Sequence, residues 1–162
     1  MSFTLENIIP WGRSFDEYVN MFALDEKDLS KKIIGCGDGP ASFNAEATQR
    51  NCRIVSFDPI YQFSVYDIEQ RVRETYPQVM DQLCKNISDY RWDDVFHSTE
   101  EVGECRLTAM NKFLADFPHG KNAGRYIPAE LPALPFKDET FDLALCSHLL
   151  FLYTKHLTIE FH

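Results

Sequence analysis

Apolar positions along this chain recur with two periods, and the switches between them mark out the elements. Phe15, Tyr18, Val19 and Phe22 fall three or four apart on one face of a short amphipathic helix, and Ser14 with Glu17 has capping-box spacing at its start. Asp25 to Lys32 is a charged turn or a final helical turn that delivers the chain into a buried strand, Lys32 to Gly35. Pro40 to Arg50 reads as a helix with Phe43 and Ala47 on one side, ended near Asn51, and Arg53 to Phe57 reads as a second strand. Val65, Ile68, Val72, Tyr76, Val79, Leu83 and Ile87 then keep helical spacing, but Pro77 interrupts them and predicts a kink or two helices meeting near Tyr76. Ser98 and Glu101 form another capping box ahead of Val102, Cys105, Ala109, Phe113 and Phe117, and Pro118-His119-Gly120 is expected to stop that helix. Arg125 to Ile127 can form a short third strand, Pro128 to Phe136 a stiff extended loop, and Phe141 to Cys146 a buried fourth strand. Two helices between the second and third strands exceed what a crossover requires, so Val95 to Gly120 is a candidate substrate cap.

Chemistry concentrates where strands end. The first strand runs into Gly35-Cys36-Gly37-Asp38-Gly39-Pro40, where glycines suit positive φ or close approach of a ligand, and Pro40 suits the first helical turn. A dinucleotide fingerprint wants G-x-G-x-x-G with a pyrophosphate on the helix N-terminus; here the third glycine comes one residue early and Pro40 removes a donor. A nucleoside ligand without phosphates fits this loop better, the alternative being a tight turn with no ligand. Asp58, at the end of the second strand and about 20 residues on, can accept both hydroxyls of a ribose, or merely cap the turn before Pro59. Tyr61 reads as an aromatic wall near the ligand. Arg13, at the entrance of the first helix, can reach a ligand carboxylate or be an ordinary solvated residue.

Composition narrows the classes. A chain of 162 residues with 44% hydrophobic content forms one domain, 1–162, burying about 70% of its unfolded surface. A formal net charge of −9 argues against a broad nucleic-acid or anionic-membrane footprint. No run is apolar and long enough to span a bilayer, and the opening Met1 to Pro10, carrying Glu6, is no signal peptide. Cys36, Cys52, Cys84, Cys105 and Cys146 have neither C-x-x-C nor metal-ligand spacing, so they read as reduced core thiols of a cytoplasmic protein, with no metal site.

The order of these motifs resembles the class I S-adenosylmethionine-dependent methyltransferases: a glycine loop, Asp58 as the second motif, a Leu134-Pro135-Phe136 linker, then Phe141-Asp142-Leu143. The resemblance implies a Rossmann-like three-layer α/β sandwich with a mainly parallel sheet in strand order 3-2-1-4, an N-terminal helix and a helical insertion between strands 2 and 3. It implies S-adenosylmethionine as cofactor, met by Gly35, Cys36, Gly37, Gly39, Asp58, Pro59 and Ser147, with Glu130 and Leu131 beside the adenine and Arg13 nearby. Ser147 and His148 match the residues that face the methyl group; His148 can be a general base or a pocket-lining residue. The acid usually found two positions before the first glycine is Ile33 here, and Asp38 is a candidate substitute whose direction sequence does not give. Asp58-Pro59-Ile60-Tyr61 differs from the base-methylation signature, which has a second proline and follows the fourth strand. The acceptor expected is a small molecule or protein. The rivals are a nicotinamide-dinucleotide oxidoreductase and a non-catalytic cofactor-binding or assembly protein. Because the family's sheet has seven strands, the chain reads as the first half of such a domain, its open sheet edge a place for a partner subunit.

Overall fold

The computed structural model describes residues 9–89 and 96–147. Helix α1 (Phe15–Phe22) opens on the expected box: the Ser14 hydroxyl accepts the Glu17 N–H at 3.3 Å and the Glu17 carboxylate accepts the Ser14 N–H at 2.9 Å. After a single-turn helix α2 (Glu26–Leu29) come strand β1 (Lys32–Cys36), helix α3 (Phe43–Gln49) and strand β2 (Arg53–Phe57). A short 3-10 turn (Pro59–Gln62) leads to helices α4 (Val65–Lys85) and α5 (Thr99–Asn122), then strands β3 (Tyr126–Ile127) and β4 (Leu143–Cys146). The fold is α/β and Rossmann-like, with an all-parallel four-stranded sheet in the expected order β3-β2-β1-β4.

Alternation along the strands gives the sheet two different faces. Ile33, Ile54 and Leu145 point to α1 and α3, where they pack with Phe15, Tyr18, Phe43 and Ala47. Ile34, Cys36 and Phe57 point the other way, beside Ile127 of β3, and are covered by Leu131, Leu134, Phe136 and Phe141 from the segment after it. A second cluster joins Tyr61, Phe113, Phe117 and Tyr126, with Tyr61 edge-on to Tyr126 at 5.2 Å between ring centres.

Four local expectations are corrected. Of the two alternatives at Pro77, two separate helices are ruled out: one 21-residue helix runs through it, opened by an unforeseen Ser64–Asp67 capping box. Val72 and Val79, buried on either side, hold the helix together across the missing N–H; Ile87 lies beyond it, in the 3-10 turn Ile87–Asp89. Pro118 and Gly120 do not stop α5, which runs to Asn122. Gly120 instead lets the Tyr126 ring approach, since a Cβ there would meet Tyr126 Cε2 at 2.4 Å. The Ser98–Glu101 box is half made: the Ser98 hydroxyl accepts the Glu101 N–H, while the Glu101 carboxylate accepts the His97 N–H at 2.8 Å. Finally, β4 starts at Leu143 rather than Phe141, because Phe141 turns to pack edge-on against Phe136.

The helical insertion is present, but α5 is no detachable cap. Its Phe113 and Phe117 are fully buried beside β3, so α5 is the crossover helix, and α4 is the outer one laid upon it. The strand order reverses at the carboxyl ends of β1, β2 and β4, the place where open α/β sheets bind ligands.

Candidate functional site

The glycine loop between β1 and α3 is closed on itself. Gly37 and Gly39 have φ of 64° and 53°, the left-handed region where a Cβ is strained. The Gly37 N–H donates to the Phe57 carbonyl at 2.9 Å, and the Gly39 N–H to Asp58 Oδ2 at 2.9 Å. Ala41 N–H donates to the Asp38 carbonyl and Ser42 N–H to the Arg13 carbonyl, at 3.3 and 3.0 Å. Pro40 has no N–H, and it sits in a turn ahead of α3, which begins only at Phe43; the expectation that Pro40 opens the helix is corrected. The left-handed Gly39 and the turn closed from Ala41 to Asp38 use up the residues that would have made the first helical turn. From below, the Tyr61 hydroxyl donates to the Gly39 carbonyl at 2.8 Å. Tyr61 is therefore not a wall facing a ligand; it is fully buried and props the loop.

Asp58 caps the turn before Pro59, one of the two roles expected of it, and also fastens the glycine loop. Its Oδ1 caps the 3-10 turn by accepting the Ile60 N–H at 2.8 Å, while Oδ2 holds Gly39. Each oxygen keeps a further acceptor direction, which is what a cis-diol needs. The residue is half-buried, and burial raises the pKa of its carboxyl against the two N–H bonds.

Asp38 turns inward. Its carboxylate lies over Gly35, where a Cβ would stand 1.8 Å from Oδ2, so the first glycine makes room for the chain's own acid. The Tyr18 hydroxyl donates to Oδ1 at 2.8 Å and the Ser56 hydroxyl to Oδ2 at 2.6 Å. Asp38 is 7% exposed, and burial lifts its pKa to about 6 against those two bonds, with the Asp58 charge pushing the same way. Burial also pushes the Cys36 thiol up to about 12, aided by Asp38 and Cys146, so at neutral pH Cys36 is no nucleophile. Sequence reasoning placed Tyr18 only on an apolar face and passed over Ser56; the available signal was a hydroxyl at a core-facing position of each element.

The remaining predicted residues spread around this centre. Arg13 lies over the loop, its carbonyl bonded to Ser42 and its charge acting on the Tyr18 hydroxyl. Ser147, after β4, reaches that same hydroxyl, so Tyr18 ties α1, the loop and β4 together. Pro59 starts the 3-10 turn behind Asp58. Leu131 is packed beside Cys36 and Phe57, whereas Glu130 is exposed, in an isolated bridge with Ala133. His148 lies outside the described residues. Among the described residues no group of three or more His, Cys, Asp or Glu could hold a metal, and no helix is long and apolar enough to cross a membrane.

A polar chain continues beneath the sheet's helical face. Asn44 Nδ2 donates to the Ser56 hydroxyl at 3.0 Å, and Arg125 donates to Asn44 Oδ1 at 2.7 Å. Arg125 also grips Asp116 through two bonds of 2.7 and 2.8 Å, and the Tyr126 hydroxyl donates to the same carboxylate at 2.8 Å.

No family model and no solved structure matches this chain. It is 32% identical over 160 residues to "Uncharacterized protein MJ0045" of Methanocaldococcus jannaschii, an alignment covering 98% of this chain and 71% of that protein. With that identity over that share of both chains, this protein belongs to the same family as MJ0045.

Proposed function

We propose that this protein binds S-adenosylmethionine at the carboxyl ends of β1, β2 and β4 and transfers its methyl group to a small-molecule or protein acceptor. The observation that carries the reading is the fate of the loop's N–H groups. A pyrophosphate needs those donors; here Gly37, Gly39, Ala41 and Ser42 all donate to the protein itself, and Pro40 has none to give. Two carboxylates, Asp38 and Asp58, border the loop and would repel phosphate, while a cationic nucleoside would be drawn to them.

The residues fit such a group. Asp58, with an open acceptor direction on each oxygen, would take the ribose diol, and Gly39, whose missing Cβ has no neighbour nearer than Asp58 Oδ2 at 3.9 Å, leaves its side of the loop clear. Arg13 would meet the ligand's carboxylate, and Leu131, with the exposed Glu130, would border the adenine. When bound, S-adenosylmethionine supplies a methyl carbon on a sulfonium, open to attack by a nucleophile. The chain's share of the work is alignment and exclusion of water around Ser147 and His148, with His148 as the candidate base.

Unfolding with and without S-adenosylhomocysteine, with NADH as control, tests the reading. At a hundred times its dissociation constant a site ligand adds about 2.7 kcal/mol of stability. Stabilisation by S-adenosylhomocysteine alone, lost in Asp58→Ala, supports it; stabilisation by NADH alone turns the assignment to an oxidoreductase, and silence from both removes the cofactor.

A further inference from the structure

We propose that Asp38 is the charge selector of this site, a buried carboxylate that makes it take a sulfonium nucleoside in preference to the neutral thioether left once the methyl is gone. The proposal rests on the S-adenosylmethionine reading. Its basis is a contrast in how the fold treats its inward acids. Glu17, Glu46 and Asp116 each face a cation, Arg106, Lys112 and Arg125 respectively. The hydrogen-bond partners of Asp38 are instead two hydroxyls, those of Tyr18 and Ser56. Two hydroxyls orient a carboxylate without neutralising it, and an unneutralised charge in a buried place is costly unless something arrives to balance it.

The position is also built for the acid. Gly35 vacates the space that the carboxylate fills, and the bracketing Gly37 and Gly39 hold left-handed conformations that turn residue 38 inward. The N–H groups of Gly37, Gly39, Ala41 and Ser42, which could have offset the charge, are spent on Phe57, Asp58, the Asp38 carbonyl and the Arg13 carbonyl. A second acid, Asp58, stands close enough to act on Asp38 electrostatically. A cation entering among these groups gains an attraction that a neutral ligand of the same shape does not, and in surroundings poor in water one unit charge is worth about tenfold in affinity or more. The consequence suits turnover, since the ligand loses its hold when it loses its charge.

The groups facing Asp38 settle the pH dependence. Tyr18 from α1, Tyr61 from the 3-10 turn and Cys36 on β1 all have raised pKa values and stay neutral through the range of interest, and the Arg13 charge reaches Tyr18. Among the described residues around it, Asp38 and Asp58 are the two whose raised pKa values bear on this range. Asp38 is charged above about pH 6 and loses its charge as the pH falls through that value, so the preference for the cation is full on the alkaline side and shrinks on the acid side. Because Asp58 shifts the same way, a variant is needed to separate them.

The test is calorimetric titration of the full chain with S-adenosylmethionine, S-adenosylhomocysteine and the analogue that carries an amine in place of the methylated sulfur. At pH 8 the sulfonium, a cation at every pH, is expected to bind about tenfold more tightly than the thioether, and the amine to approach it as it becomes protonated. Asp38→Asn should bring the three together while the thioether keeps its affinity. In the wild type the preference should narrow at pH 5, and cation binding near pH 6 should release protons where thioether binding does not. An unchanged preference in Asp38→Asn overturns the proposal. So does a preference in the wild type that is the same at pH 5 and pH 8, a result that stands even if the variant does not fold. Binding of all three ligands with equal affinity overturns the proposal alone; binding of none overturns the S-adenosylmethionine reading with it.

Discussion

Two carboxylates in this molecule accept a tyrosine hydroxyl at the same 2.8 Å, and their acidities move in opposite directions. At Asp116 burial works to raise the pKa, but the bonds from Arg125 and Tyr126 outweigh it and hold the carboxyl below the usual range. At Asp38 burial is stronger, a serine stands where the arginine would be, and the pKa rises to about 6. The lesson is that the hydroxyl is common to both and decides neither; the presence of a cation does. Asp116 is a fastening between α5 and β3, while Asp38 is a charge held in readiness at the end of β1.

The comparison can be broken most forcefully at Arg125. Arg125→Ala leaves Asp116 without its arginine and takes the shorter of two hydrogen bonds from Asn44 Oδ1, and is expected to cost about 3–5 kcal/mol in denaturant unfolding. Next comes Gly35→Ala, whose methyl must displace the Asp38 carboxylate from its two hydroxyls; about 2–3 kcal/mol should be lost, and less in an Asp38→Ala background where the space is free. The acids themselves give opposite pH profiles. Asp116 contributes stability above its unfolded pKa of about 3.9 that is lost as the pH falls through its lower folded pKa, so Asp116→Asn should hurt at pH 7 and progressively less as the pH falls below about 4. For Asp38 the folded pKa is the higher one, so its charge costs stability as the pH rises from about 4 to about 6. Asp38→Asn should therefore gain about 3 kcal/mol relative to wild type between pH 4 and pH 7, read by thermal unfolding across that range. The smallest effect separates the tyrosines. Tyr126→Phe leaves Asp116 its arginine and should cost about 1 kcal/mol or less at pH 7, whereas Tyr18→Phe takes one of two hydroxyls from Asp38 and should push its pKa further up, visible by carboxylate titration.

Much of this was legible in the sequence, for reasons that can be named. The four strands follow from short apolar runs separated by helices, their order was what the family resemblance implied, and Asp58 follows from its place at the end of the second of them. What sequence hid were the consequences of folding in three dimensions. Pro118 reads as a stop, yet Phe113 and Phe117 before it and the Tyr126 ring against Gly120 after it supply enough packing to carry α5 through. Gly35 reads as a place for a ligand, but the filler of its space is a carboxylate three residues on, turned back by two left-handed glycines whose φ values no spacing rule states. Tyr61 reads as a wall because it follows Asp58; the 3-10 turn between them rotates it into the core.

The inward bonding of the glycine loop also bears on time. A loop whose N–H groups point into solvent must be ordered by its ligand, and part of the binding free energy goes into stilling it. Here Phe57, Asp58, Tyr61 and Arg13 have done that beforehand, so a ligand would meet a finished surface at its first encounter. The amides of Gly37 and Gly39 would then exchange with solvent at the pace of the sheet beside them, and a visiting ligand would slow them little further.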